Sequence, residues 1–169
     1  MTPQDIRLLF DYSYWANEQL LAVARSLSPE SFAAASEISY RGVRGTLVHT
    51  LDVEQSWRRR IRGEPRETWD LELDEAGFAS VESLEAAWRL DQAEMLAWLD
   101  ALDQAALDAI VDLGPKDRFP LATFLLHIVT HSAQQRRDVA LLLERAGHPP
   151  PEIEFLNYAD ARLASGTSL

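Results

Sequence analysis

The sequence predicts an all-helical protein, a four-helix bundle. Three observations carry that prediction. Apolar residues recur at helical spacing in four stretches of about 20 residues each. Cap and stop residues punctuate those stretches. One connection between them is long and the rest are short, as in a bundle with a single crossover.

The first helix is expected from Pro3 to about Leu27. Thr2 is the N-cap, Pro3 suits the first helical position and Asp5 the first turn. Ile6, Leu9, Phe10, Trp15, Leu20, Leu21 and Val23 mark its apolar side. "SLSPES" ends it, and "SPES" reads as a short new helical turn. A second helix follows from about Val43 or Thr46 to Arg62, where Gly63 and Pro65 stop it. The stretch "EPRETWDLELDEAGFAS" (64–80) is polar and irregular, a long crossover of the kind that often carries function. A third helix runs from about Val81 to Leu102 with Ser80 as cap. Leu84, Trp88, Met95, Trp98, Leu99 and Leu102 are its expected core positions.

"ALDAIVDLGPKDRFPL" (106–121) is ambiguous, because "AIVDL" before Gly-Pro fits a short strand or hairpin. The fourth helix runs from about Leu121 to Ala146 and "GHPPPE" ends it. "EFLNYADARLA" (154–164) is a short C-terminal docking helix. No repeat, low-complexity tract or boundary divides the chain, so residues 1–169 form one domain.

Composition narrows the function. Apolar residues are 47% and charged residues 25%, an ordinary globular balance. The formal net charge of −11 argues against nucleic-acid binding, which needs a cationic footprint. The best basic run, "RRRIRGEPR" (58–66), sits among acidic segments and reads as a solvated helix end. With no cysteine, disulfides, thiolate ligands and a cysteine nucleophile are excluded. The acidic N-terminus lacks the apolar core of a signal peptide. No apolar run approaches the ~18 residues of a membrane span. A cytoplasmic protein with no membrane contact is the expectation.

The chain has four histidines. Two of them, His127 and His131, stand one turn apart on the fourth helix, with Gln135 a turn further. On a helical wheel Leu121, Phe124, Leu125, Ile128, Val139, Leu142 and Leu143 define the buried face. Gln135 falls inside that arc and His131 at its edge. His127 lies about 80° round from Gln135. The wheel therefore turns His131 and Gln135 inward. Residues at i and i+4 can reach one metal together, and a further ligand must come from another helix. His49 is the other mid-helix histidine, whereas His148 sits in the Pro-rich stop. From spacing alone H-x-x-x-H is a weak signal. The plainer reading is three boundary histidines hydrogen-bonded to their neighbours.

Other residues fit a pocket or a core. Asp52 and Glu54 follow His49 within about one turn; either suits an imidazole partner or a base, although exposed acids are the commoner outcome. Tyr12, Trp15, Tyr40 and Trp57 wall a pocket or fill the core. Arg136 and Arg137 attract an anionic ligand or end in surface salt bridges. No phosphate loop and no Ser-His-Asp arrangement can be assembled.

The residues also resemble a known family. "LFDYSYWANEQLLAVARSLSPESF", "GTLVHTLDVEQSWRRRIRGE" and "PLATFLLHIVTHSAQQRRDVALLLERAGHPPPEIEFLNY" look, in that order and spacing, like the first, second and last helices of the DinB/YfiT-like family of metal-dependent enzymes. The resemblance implies an up-down-down-up bundle with a long crossover. It also implies a divalent metal, zinc or nickel, on a histidine triad. The second-helix ligand maps to His49. The last-helix pair is generally the last two histidines of a His-x-x-x-His-x-x-x-His-Arg-Gly-Gln pattern. Here those positions hold His131 and Gln135, and Arg136-Arg137-Asp138 replaces Arg-Gly-Gln. His127 maps to the upstream histidine, usually outside the coordination sphere. An amide is a weaker ligand than imidazole. Ligand chemistry favours His127 as the third member and the wheel favours Gln135, so both stay open.

The functional expectation follows from that resemblance. Two or three protein ligands leave open positions, the mark of a catalytic metal, able to acidify a water or thiol. Characterised relatives include thiol-dependent transferases and isomerases. A low-molecular-weight thiol would then be a second cofactor, and a small electrophilic molecule the substrate, beside a pocket of a few hundred Å³. The main rival is a metal-free binding module, favoured by Gln135 and the Arg-Arg-Asp that follows. A third reading is a stress-response scaffold acting as a homodimer, because bundle faces often pair about a two-fold axis.

Overall fold

The structure, a computed structural model, describes residues 1–36 and 41–167. Four long helices make the bundle: α1 (Pro3–Ala24), α3 (Val43–Ile61), α4 (Val81–Asp100) and α6 (Leu121–Arg145). Both α1 and α3 pack against α6 and against α4, so the four close into a ring. The short helices α2 (Pro29–Ala33), α5 (Gln104–Asp108) and α7 (Phe155–Ala164) lie between or after them.

Local chemistry sets the helix starts. Thr2 and Asp5 form a reciprocal capping box at α1, with Pro3 at the first turn. Ser80 and Ser83 do the same at α4. Gly42 begins α3 where a side chain could not fit, since a Cβ there would stand 1.9 Å from the Ala34 carbonyl oxygen. The crossover between α3 and α4 holds two single 3₁₀ turns, Arg66–Thr68 and Glu75–Gly77. "AIVDL" does form a hairpin: β1 (Ile110–Asp112) pairs antiparallel with β2 (Arg118–Pro120), Val111 opposite Phe119. The sequence reading missed α5, which Asp103 caps by accepting from the Ala106 N–H.

The core draws on all four long helices. Ile6, Phe10, Leu20, Leu47, Leu51, Leu84, Met95, Leu125 and Ile128 are fully buried. Trp88 and Leu99 join them as expected, while Trp98, Leu102 and Leu142 pack only half-buried against that core. No helix of the described residues is long and apolar enough to cross a membrane.

The basic run is not wholly a solvated helix end. Arg58 has a side chain only 1% exposed and is hydrogen-bonded to the equally buried Asp91 of α4. The cause is register: Leu47, Leu51, Glu54 and Arg58 recur at helical spacing on the buried face of α3. A guanidinium there needs a carboxylate, because an unpaired buried charge costs several kcal/mol, about as much as a core leucine contributes or more. Arg58 also reaches the exposed Glu94.

Candidate functional site

The direct packing of α3 on α6 brings His49 to His131. Their ring centroids lie 5.3 Å apart with planes at 72°. Both rings are half-buried, as befits residues flanking the apolar stripes of their helices. Gln135, one turn beyond His131, is half-buried too, and His127 is exposed. The wheel's order holds for exposed His127 and for His131 at the edge, whereas Gln135, expected inside the buried arc, is no more than half-buried.

Burial makes the site electrostatically distinct. Removal from water pulls the His131 imidazole down to about 4, and the neighbouring His49 and His127 add to that shift. His49 is lowered by burial and by the Arg41 guanidinium, against the pull of Asp52, Glu72 and Glu75. His131 is therefore neutral at pH 7 with a free lone pair. Its Nδ1 is buried and has no hydrogen-bond partner, unlike the satisfied boundary histidine of the plainer reading. An orphaned imidazole nitrogen beside a second imidazole is a donor set that suits zinc or nickel.

The third member is less evident. His127 packs its ring edge-on against Trp57 at 5.0 Å and stands 6.3 Å from His131. Among the described residues no three His, Cys, Asp or Glu side chains gather as a metal-holding group, so the three histidines do not form a triad by themselves. The Gln135 amide is the remaining candidate from the sequence pattern.

Two nearby acids depart from expectation. Glu54 is buried, not exposed: its carboxylate accepts from Trp88 Nε1–H at 3.2 Å and from the Ser132 hydroxyl at 3.0 Å. Burial and then Asp91 push it up to about 7. It ties α3 to α4 and to the residue following His131. Asp52 is also buried and accepts the Leu73 N–H at 3.0 Å, which anchors the crossover over α3 near His49. The crossover reaches the site again through Glu75, which pairs with Arg41 at 2.7 Å. Gly45 leaves room for that carboxylate: a Cβ there would stand 2.7 Å from its oxygen. Sequence reasoning missed Ser132, Arg41 and Glu75. The glycine of "RGVRG" was a usable sign of close approach.

The aromatic residues divide between two places. Trp57 and Trp69 wall an open cavity of about 230 Å³ with Asp52, Ser56, Arg60 and Glu72, and Arg60 lies over both indoles. Asp52, in this cavity, acts through its charge on His49, and Trp57 packs against His127; neither His49 nor His131 lines the cavity. Tyr12 and Trp15 instead pack in tilted ring contacts on Tyr158 of α7. Tyr40 lies outside the described residues. Arg136 is not a surface residue: it is 3% exposed and donates to Ser13 Oγ at 2.7 Å and Asn17 Oδ1 at 3.1 Å. Its position follows Ser132 by one turn on the buried face of α6. Arg137 is exposed, and His148 binds Ser26 across 2.7 Å at the helix end.

A family model described as the DinB family matches residues 1–167. No curated protein matches the chain.

Proposed function

The chain belongs to the DinB family, and from that premise we propose that it is a metal-dependent enzyme whose His49, His131 and Gln135 hold a divalent cation, zinc or nickel. Its reaction is a thiol-dependent group transfer that acts on a small electrophilic molecule, with a low-molecular-weight thiol as second cofactor. The observation that carries this reading is the buried, unpartnered Nδ1 of His131 beside the His49 ring. When bound, the cation supplies Lewis acidity that brings a thiol toward its thiolate near neutral pH.

The chain's own residues do the rest. Burial keeps His131 neutral and able to donate its lone pair at working pH. Ser132, held by Glu54, fixes the turn of α6 that carries His131. Asp52 holds the crossover against α3. The indoles of Trp57 and Trp69 give the adjoining cavity an apolar wall for the body of a small substrate. The chain contains no cysteine, so the sulfur comes from a diffusible thiol.

The second reading is a metal-free binding module. Gln135 in place of a histidine favours it, as does the lack of a three-ligand His, Asp or Glu group among the described residues. Cobalt(II) titration of metal-stripped protein separates the two. The enzyme reading expects a saturable visible d–d band in wild type and in His127→Ala, lost in His49→Ala and His131→Ala. No band in wild type leaves the binding module.

A further inference from the structure

The open cavity walled by Trp57 and Trp69 holds one charge without a counter-ion. Among its charged lining residues, Arg60 pairs with Asp117 at 2.9 Å, Asp70 with Arg66 at 2.8 Å and Glu72 with Arg41 at 3.7 Å. Asp52 lines the same cavity and makes no ion pair among the described residues. We propose that this cavity binds a small primary amine, whose ammonium group meets the Asp52 carboxylate while its apolar body lies against Trp57, Trp69 and Leu71.

Asp52 carries the argument because it is desolvated yet not sealed. It keeps 9% of its surface exposed and stands in the wall of an open cavity. Its Oδ1 accepts the Leu73 N–H at 3.0 Å, and no hydrogen bond among the described residues takes Oδ2. One neutral donor leaves most of the acceptor capacity of an ionised carboxylate unused. Burial raises its pKa, as expected of a carboxylate that has left water without gaining a cation. An ammonium group supplies both the charge and the donor that Oδ2 lacks. A guanidinium fork prefers both oxygens, and here one is engaged. A metal ion needs more ligands than one carboxylate, and no third His, Cys, Asp or Glu gathers with any two among the described residues.

The walls define the rest of the ligand. The Trp69 Nε1–H is committed to the Glu64 carbonyl at 3.0 Å, so its ring offers hydrocarbon surface. Arg60 lies over both indoles and steadies them. Leu71 is 78% exposed beside them, an uncovered apolar side chain. The volume of about 230 Å³ suits a single ring on a short arm. As a statement about the enzyme's substrate this rests on the reading above, in which the cavity takes the substrate's body; the binding itself needs no metal.

Benzylamine is the probe, and benzyl alcohol is the ligand of the same shape without the charge. Isotope-labelled, metal-free protein is titrated with each at neutral pH while the Trp57 and Trp69 indole N–H resonances are followed by NMR. Benzylamine is expected to give a saturable shift and benzyl alcohol to bind about tenfold more weakly. Asp52→Asn keeps an acceptor for the Leu73 N–H and removes the charge. It should weaken benzylamine about tenfold and leave benzyl alcohol unchanged. Asp70→Asn, whose charge Arg66 already balances, should change benzylamine less than about twofold. Benzylamine binding in a protein that gives no cobalt band would uphold this proposal and remove only the metal. A cobalt band without a saturable benzylamine shift would overturn this proposal and leave the metal in place. Equal affinities for amine and alcohol, or equal losses in the two variants, overturn it as well.

Discussion

The imidazole of His131 stands edge-on to that of His49, with centroids 5.3 Å apart, and its Nδ1 meets no hydrogen-bond donor or acceptor. Two protonated imidazoles at that distance would repel, and burial already disfavours the first proton. Folding therefore holds His131 as a neutral base.

An NMR titration of the metal-free protein should place the His131 midpoint near 4, against 6.5 for a free histidine. Because the folded value is the lower one, the unfolded chain takes up the proton first as pH falls. The stabilisation from a neutral His131 is complete above about 6.5 and is lost as pH falls toward 4. In His49→Ala the midpoint should rise, since one like charge is gone, while staying below 6.5 because burial remains. A wild-type midpoint at or above 6.5 contradicts the picture.

Glu54 runs the other way. Its folded value of about 7 exceeds the ordinary 4.5, so the folded protein holds the proton longer than the unfolded chain. Stability from this group is full below about 4.5 and falls as pH rises through 7. Urea unfolding at pH 5 and pH 8 should show wild type losing ~2–3 kcal/mol relative to Glu54→Gln over that interval. A gain over the same interval would mean that Arg136 holds the carboxylate ionised.

The two acids bound to Arg58 should differ sharply. Asp91 is buried with it, so Asp91→Ala strands a buried guanidinium and should cost ~3–5 kcal/mol. Glu94 is 62% exposed, and Glu94→Ala should cost less than ~1 kcal/mol. Equal losses by urea denaturation would refute the assignment of Asp91 as the essential partner.

Metal affinity should reveal the third ligand. Gln135→His replaces an amide by an imidazole in the inward position and should tighten zinc binding at least tenfold, measured by competition with a chelator. His127→Ala should change it less than twofold. The reverse pattern would make His127 the ligand, with its ring released from Trp57.

Much of this was legible in the sequence where the cause is local. Thr2 and Ser80 announce their helices because a cap is read from three or four adjacent residues. The wheel separates exposed His127 from half-buried Gln135 because helical periodicity alone fixes the face. What the sequence hides depends on a partner across the bundle. Glu54, Arg58 and Arg136 have the composition of surface residues, and only their positions opposite Ser132, Asp91 and Ser13 make burial tolerable. Likewise, the pairing of His49 with His131 needs the contact of α3 with α6, which no window of either helix contains.

If His49 and His131 hold a metal, it should travel with the purified protein. Elemental analysis of untagged wild type beside His131→Ala is therefore the decisive measurement. Near-stoichiometric zinc or nickel is expected in wild type, with its loss in the variant. No metal in wild type, even after dialysis against zinc, nickel and manganese, would contradict that assignment and leave the bundle as a binding module with a broken ligand set.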